Sequence, residues 1–165
     1  MTNQTSAASP NHGSGTEYFA VITIAGLCPL PVVMVGSEQV TSTVWVHNTY
    51  TFKFTTSVET RSDLYERTMA ELRELRRREV AADEVVVCYS VGANQLTETD
   101  YHVVISAERQ LGSLLRKAFT EGMGTVEPGD TRERFFQSAR QNLPEDLWNG
   151  SILEFVFEPD RITAA

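Results

Sequence analysis

The sequence predicts an α+β protein of two strand–strand–helix–strand units in tandem, each a mixed sheet with a helix packed on one face. Three observations lead there. First, Thr60-Arg61-Ser62-Asp63-Leu64-Tyr65 is echoed by Thr131-Arg132-Glu133-Arg134-Phe135-Phe136, a spacing of 71 residues from Arg61 to Arg132. Second, each copy opens a helix-like stretch that leads into a short apolar run, at 85–91 and 152–157. Third, residues 40–56 alternate with the period of two expected of a strand. Repetition on this scale marks a supersecondary unit used twice. The expected organisation is a flexible tail (1–16), a first unit (17–96) and a second, partly divergent unit (97–165).

Residues 2–16 are rich in Ser, Thr, Asn, Gly and Pro and hold no charged side chain, which predicts a flexible tail. Residues 18–25 are aromatic, β-branched and uncharged, apolar on both faces, and read as a strand covered on two sides. Pro29 and Pro31 interrupt 26–39, an edge strand or an apolar loop. In 40–56, Val44, Val46, Tyr50, Phe52 and Phe54 share the expected buried face. Trp45, His47, Thr49, Thr51 and Lys53 share the wet one. Trp45 is out of place there and calls for cover by the tail, the other unit or a partner.

Residues 60–79 carry Leu64, Tyr65, Thr68, Met69, Leu72 and Leu75 as a helical stripe. Thr60 is the expected N-cap, with Asp63 in the capping-box position. Asp63 with Arg67 and Glu74 with Arg78 are acid-before-base pairs, and Arg76, Arg77 and Arg78 suit the negative end of the helix dipole. Residues 85–91 are apolar enough for a central strand. A strand at 101–107 opens the second unit. Residues 108–121 are ambiguous: Leu111, Leu114, Leu115, Ala118 and Phe119 fit a helical face, whereas the repeat places a strand within 116–126. The preferred reading is a short helix followed by a strand through 124–127. Residues 131–142 form the second helix, with Phe135, Phe136 and Ala139 inward and Pro144 marking its end. Residues 152–157 form the last strand.

The 165 residues carry a formal charge of −8. Residues 80–165 hold 7 basic and 14 acidic side chains, and such a half is repelled by phosphate backbones and anionic lipid, so neither nucleic acid nor a membrane surface is an expected partner. Cys28 and Cys88 give no disulfide framework and no zinc spacing. Cys88 reads as a small buried hydrophobe and Cys28 as a loop residue. Without a basic-then-apolar leader or a membrane-length apolar run, a cytoplasmic location is the expectation.

The run 125–131, Thr-Val-Glu-Pro-Gly-Asp-Thr, followed by an amphipathic helix and an apolar strand, resembles the strand–turn–helix of ubiquitin-like β-grasp domains. The resemblance covers 17–96 and, less fully, 99–162. It implies a hairpin, a helix across the sheet and a strand returning parallel to the first. The Thr-Arg-x-x-(Leu/Phe)-(Tyr/Phe) helix start, at Thr60 and Arg61 and again at Thr131 and Arg132, also resembles short uncharacterised actinobacterial proteins. The chain departs from ubiquitin-type modifiers in having no glycine after Gly150, so conjugation through a Gly-Gly tail is not expected.

No GxSxG, phosphate loop or HExxH occurs. No catalytic, cofactor-binding or metal-binding residue is assigned, and no cofactor is expected. The reading is a non-enzymatic protein-interaction module, an adaptor or assembly subunit, with a protein partner or a homo-oligomer as its expected company. Trp45, His47, Pro31, Val33 and Val35 are the candidate interface, because exposed aromatics and apolar loops mark contact surfaces. The alternatives are a structural component of a phage or similar particle, an acidic inhibitor, or a small enzyme using His47 or His102.

Overall fold

The structure is a computed structural model. It describes residues 7–8, 15–29, 32–36, 38–57, 60–77, 81, 84–96, 100–112 and 114–159. Most of the expected tail, Pro31 and Arg78 lie outside the described residues. In chain order the elements are β1 (Ala7–Ala8), β2 (Thr16–Pro29), β3 (Val33–Val35), β4 (Glu38–Val40), β5 (Thr43–Thr56), α1 (Arg61–Arg76), β6 (Val85–Ala93), β7 (Asp100–Leu111), β8 (Leu114–Thr125), α2 (Arg132–Gln141), a 3₁₀ turn (Glu145–Leu147) and β9 (Ser151–Pro159).

Sheet I has the order β1-β5-β2-β6 and sheet II the order β8-β7-β9. β3 and β4 form a separate two-stranded excursion in the hairpin joining β2 to β5. Each unit therefore runs strand, strand, helix, strand, with its first long strand flanked by the other two. In both units the last strand is antiparallel to the first. This corrects the parallel return implied by the ubiquitin-like resemblance. The helical crossovers link β5 to β6 and β8 to β9, so the parallel pair that favours such a crossover does exist. The first strand, reversed by its hairpin, is inserted between the members of that pair.

β2 is the most buried strand, because both of its faces are used. Ala20, Ile22 and Ile24 pack with Phe52, Phe54 and the α1 residues Leu64, Met69 and Leu72. Phe19 and Val21, on the opposite face, enter a second core with Cys88, the β7 residues Tyr101, Val103, Ile105 and Ala107, the α2 residues Phe136 and Ala139, and Ile152, Phe155 and Phe157 of β9. The two-sided burial expected of 18–25 is thus met. The expectation of a central strand at 85–91 is not: β6 is the edge of sheet I, with Val85 and Val87 exposed.

Thr60 caps its helix as the sequence predicts, and Thr131, read there as the first helical residue, caps the second. Thr60 Oγ1 accepts from Asp63 N–H at 3.1 Å, and Thr131 Oγ1 accepts from Arg134 N–H at 3.2 Å. The Asp63 carboxylate takes a hydrogen bond from the Thr60 hydroxyl, while Arg67 pairs with Glu71 instead of Asp63. α1 ends at Arg77, whose backbone is left-handed, and Arg76 pairs with Glu84. Among the described residues of 108–121 there is no helix: they hold the end of β7, the turn at Gly112 (φ 62°) and most of β8. Among the described residues, no helix is long and apolar enough to cross a membrane.

Two predictions follow from packing. A Cβ added at Gly124 would lie 2.2 Å from the Phe135 ring, whereas one at Gly122 meets nothing within 4 Å. Gly124→Ala is expected to cost about 1–3 kcal/mol in urea denaturation, by forced repacking; Gly122→Ala is expected to stay within about 0.5 kcal/mol. Equal costs at the two sites would contradict the packing of α2 on β8. Cys88 is buried, and burial pushes its thiol up to about 11, whereas Cys28 is exposed. Native protein should therefore alkylate rapidly at one thiol and, once unfolded, at two. Because the folded thiol keeps its proton above the ordinary 9.0, the Cys88 contribution to stability is complete below pH 9 and lost as pH rises through about 11. Rapid native labelling of both thiols would contradict this placement.

Candidate interaction surfaces

The face of β5 expected to be wet is the face that meets the second unit. Lys53 Nζ donates to Glu133 Oε2 at 3.0 Å, and this bond to the carboxylate raises the Lys53 pKa. Thr49 Oγ1 accepts from Ile152 N–H at 2.7 Å and shares a 2.7 Å hydrogen bond with Thr23 Oγ1. The Ser151 hydroxyl donates to the His47 carbonyl. Polar side chains occupy this face because the backbone start of β9 needs partners where it crosses β5.

His47 Nδ1 meets Glu108 Oε1, and Glu108 Oε2 meets Lys117 Nζ at 2.8 Å. Glu108 is only 5% exposed, and these two partners satisfy its buried oxygens. Beside them lies a groove of about 480 Å³ lined by Trp45, His47, Arg109, Leu115, Asn149 and Ser151 among others. Trp45 is 51% exposed and stands opposite Leu27, itself exposed, in the β2–β5 ladder. The cover anticipated for Trp45 is thus absent among the described residues, and the indole forms part of the groove wall. Val35 is exposed on the β3–β4 excursion, which also carries Val33.

The histidines are not brought together. His102 pairs with Glu121 at 2.8 Å, six residues along β7 from Glu108 and roughly 20 Å away along the strand. The imidazoles therefore sit at opposite ends of β7, each against its own carboxylate. Among the described residues, no group of three or more His, Cys, Asp or Glu is placed to hold a metal ion.

The paired helix starts occupy one neighbourhood with different burial. Arg61 and Arg132 line the same groove of about 1010 Å³ beside Tyr65, Tyr89 and Phe157. Arg61 is exposed, whereas Arg132 is 7% exposed. The Arg132 guanidinium donates to the Phe157 carbonyl at 3.1 Å and to Ser90 Oγ at 2.7 Å, and lies 4.9 Å from the Phe157 ring centre. Burial lowers its pKa to about 10. These contacts make Arg132 a link between β6, α2 and β9.

Asn94 escaped the sequence reading. Its carbonyl accepts from Arg132 N–H at 2.8 Å and its Oδ1 from Glu133 N–H at 3.0 Å, while its Nδ2 donates to Glu17 at 2.6 Å. The start of α2 is therefore capped by Thr131 and, from the first unit, by Asn94. Glu108 and Phe119 were also missed as surface-forming residues, because both fell in the stretch left ambiguous between helix and strand.

The chain matches no protein-family model, no curated protein and no solved structure.

Proposed function

We propose that this chain is a non-enzymatic protein-interaction module, an adaptor or assembly subunit, whose partner docks on the groove walled by Trp45. The observation that carries the reading is the half-exposed indole of Trp45, set beside Leu27 and Leu115 at a groove whose His47 and Glu108 are paired with one another and whose Arg109 donates to the Asp146 carbonyl. A rigid aromatic flanked by apolar neighbours is the composition of a binding hot spot. His47 is engaged by Glu108, and the Ser151 hydroxyl is spent on the His47 carbonyl, so this cluster supports the geometry of the groove and offers no free nucleophile–base pair. The ends of β2 and β5 that carry Leu27 and Trp45 expose most of their side chains, as a docking platform requires.

The test is capture of a partner from native lysate by the full chain, followed by affinity measurement with Trp45→Ser. Loss of the indole is expected to weaken the complex by about 2 kcal/mol, or ~30-fold. Thermal stability should change little, because the side chain is half exposed in the free protein. A complex insensitive to Trp45→Ser, or no complex at all, would contradict the reading.

A further inference from the structure

We infer that the free edge of β8 pairs antiparallel with β8 of a second copy, joining two sheet II layers across a two-fold axis at Phe119. On β8 this surface shares Leu115 with the Trp45 groove, whereas its centre at Phe119 lies outside that groove, and the inference is tested there.

β8 is the outer strand of sheet II and pairs with β7 on one side along its whole length, from Leu114 opposite Leu111 to Thr125 opposite Asp100. Among the described residues no strand pairs with its other side, which leaves a row of backbone donors and acceptors open. Natural edges of this length are usually blunted by charge, proline or a bulge. β8 has no proline and no register shift against β7. Its charged side chains are tied down within the chain: Lys117 to Glu108 at 2.8 Å, Glu121 to His102 at 2.8 Å and Arg116 to Asp146 at 2.8 Å.

The face of β8 that points away from α2 reads Leu115, Lys117, Phe119, Glu121, Met123. It holds an apolar group at the centre and at each end, with Phe119 72% and Met123 65% exposed. The five residues form a palindrome in chemistry. An antiparallel copy centred on Phe119 sets Phe119 against Phe119, Lys117 against Glu121, and Leu115 against Met123. Directly opposed side chains of an antiparallel pair share a face and contact one another, and aromatic, apolar and opposite-charge pairs are each favourable. The ladder would run from Leu114 opposite Gly124 through to Gly124 opposite Leu114.

Charge fixes the register further. Across the joined sheets the row reads Glu108, Lys117, then Glu121 and Val104 of the second copy, with that copy's His102 reaching Glu121 diagonally from the position opposite Met123. Lys117 thus lies between two carboxylates. A shift by two residues puts Lys117 opposite Phe119 and breaks every one of these matches. This self-complementarity points to another copy of the chain as the occupant, because an isologous interface requires one surface to match itself.

The experiment uses the full chain. Light scattering from micromolar to millimolar concentration should pass to twice the mass of one chain. Phe119→Lys, which opposes two ammonium groups on the axis, and Glu121→Lys, which opposes ammonium groups twice from an exposed position, should each return the single-chain mass, with unchanged circular dichroism. Register is read by cross-linking on a Cys28→Ser background with a short bismaleimide. Phe119→Cys should link to itself, and Leu115→Cys should link to Met123→Cys in a mixture. Leu115→Cys should not link to itself, because its copies lie roughly 27 Å apart along the ladder. A single-chain mass at every concentration overturns the inference, as does a dimer that survives Phe119→Lys or links through Leu115→Cys alone. Loss of the dimer with retention of a Trp45-dependent complex would leave the two surfaces distinct.

Discussion

Phe136 sits where the two sheets meet. It is fully buried, its ring 5.6 Å from Phe19 of sheet I and 4.9 Å from Phe155 of sheet II. Around it the back face of β2 and the inner face of sheet II close a single core, while α1 closes the other face of β2. Neither sheet has an independent means of covering what it buries here. If α2 and β9 were removed, Phe19 and Val21 would face water. Burying a large apolar side chain contributes about 1.5–3 kcal/mol, so the shared residues carry a substantial part of a domain's net stability. Two units this small gain from such a common core, since either alone lies near the lower size limit for folding.

The polar contacts across the seam follow from that packing. Once the sheets close on Phe136, the first turn of α2 is brought against the end of β6, where its unpaired N–H groups require acceptors. Asn94 supplies two, and the buried Arg132 finds the Phe157 carbonyl and Ser90. Midway along β5, Thr49 takes the Ile152 amide in the same way. These bonds satisfy groups that burial would otherwise leave costly, and so they fix orientation more than they add net stability. The surfaces left over are those the shared core does not reach: the projecting end of the β2–β5 hairpin and the outer face and edge of β8.

Signals that act within a few residues were legible. Thr60 as a cap, the helix read over 131–142 and the two-sided burial of 18–25 needed only local hydrogen bonding and patterning. The stretch 108–121 was not legible by period, because Leu115, Phe119 and Met123, each four residues apart, share a face on a strand as well as on a helix. The Gly112-Ser113 pair between two long runs is the two-residue hairpin signal that distinguishes them. The wet face of β5 was correctly read as polar but not as a seam, since the partners of Lys53 and Thr49 lie 80 and 103 residues away. Strand direction failed for a related reason. The ubiquitin-like resemblance implies a last strand parallel to the first, whereas the strand parallel to it is the second. Trp45 was legible as an anomaly, and it remains one in the fold, half exposed at the groove.

The central claim, one core shared by two sheets, is tested most directly by native-state hydrogen exchange with and without Phe136→Ala. The account predicts that the slowest amides of β2 and of β7 open with the same free energy, and that the substitution lowers both together by about 3–5 kcal/mol. Slow β2 amides left unchanged while β7 amides lose protection would show that the sheets are stable separately and would contradict it.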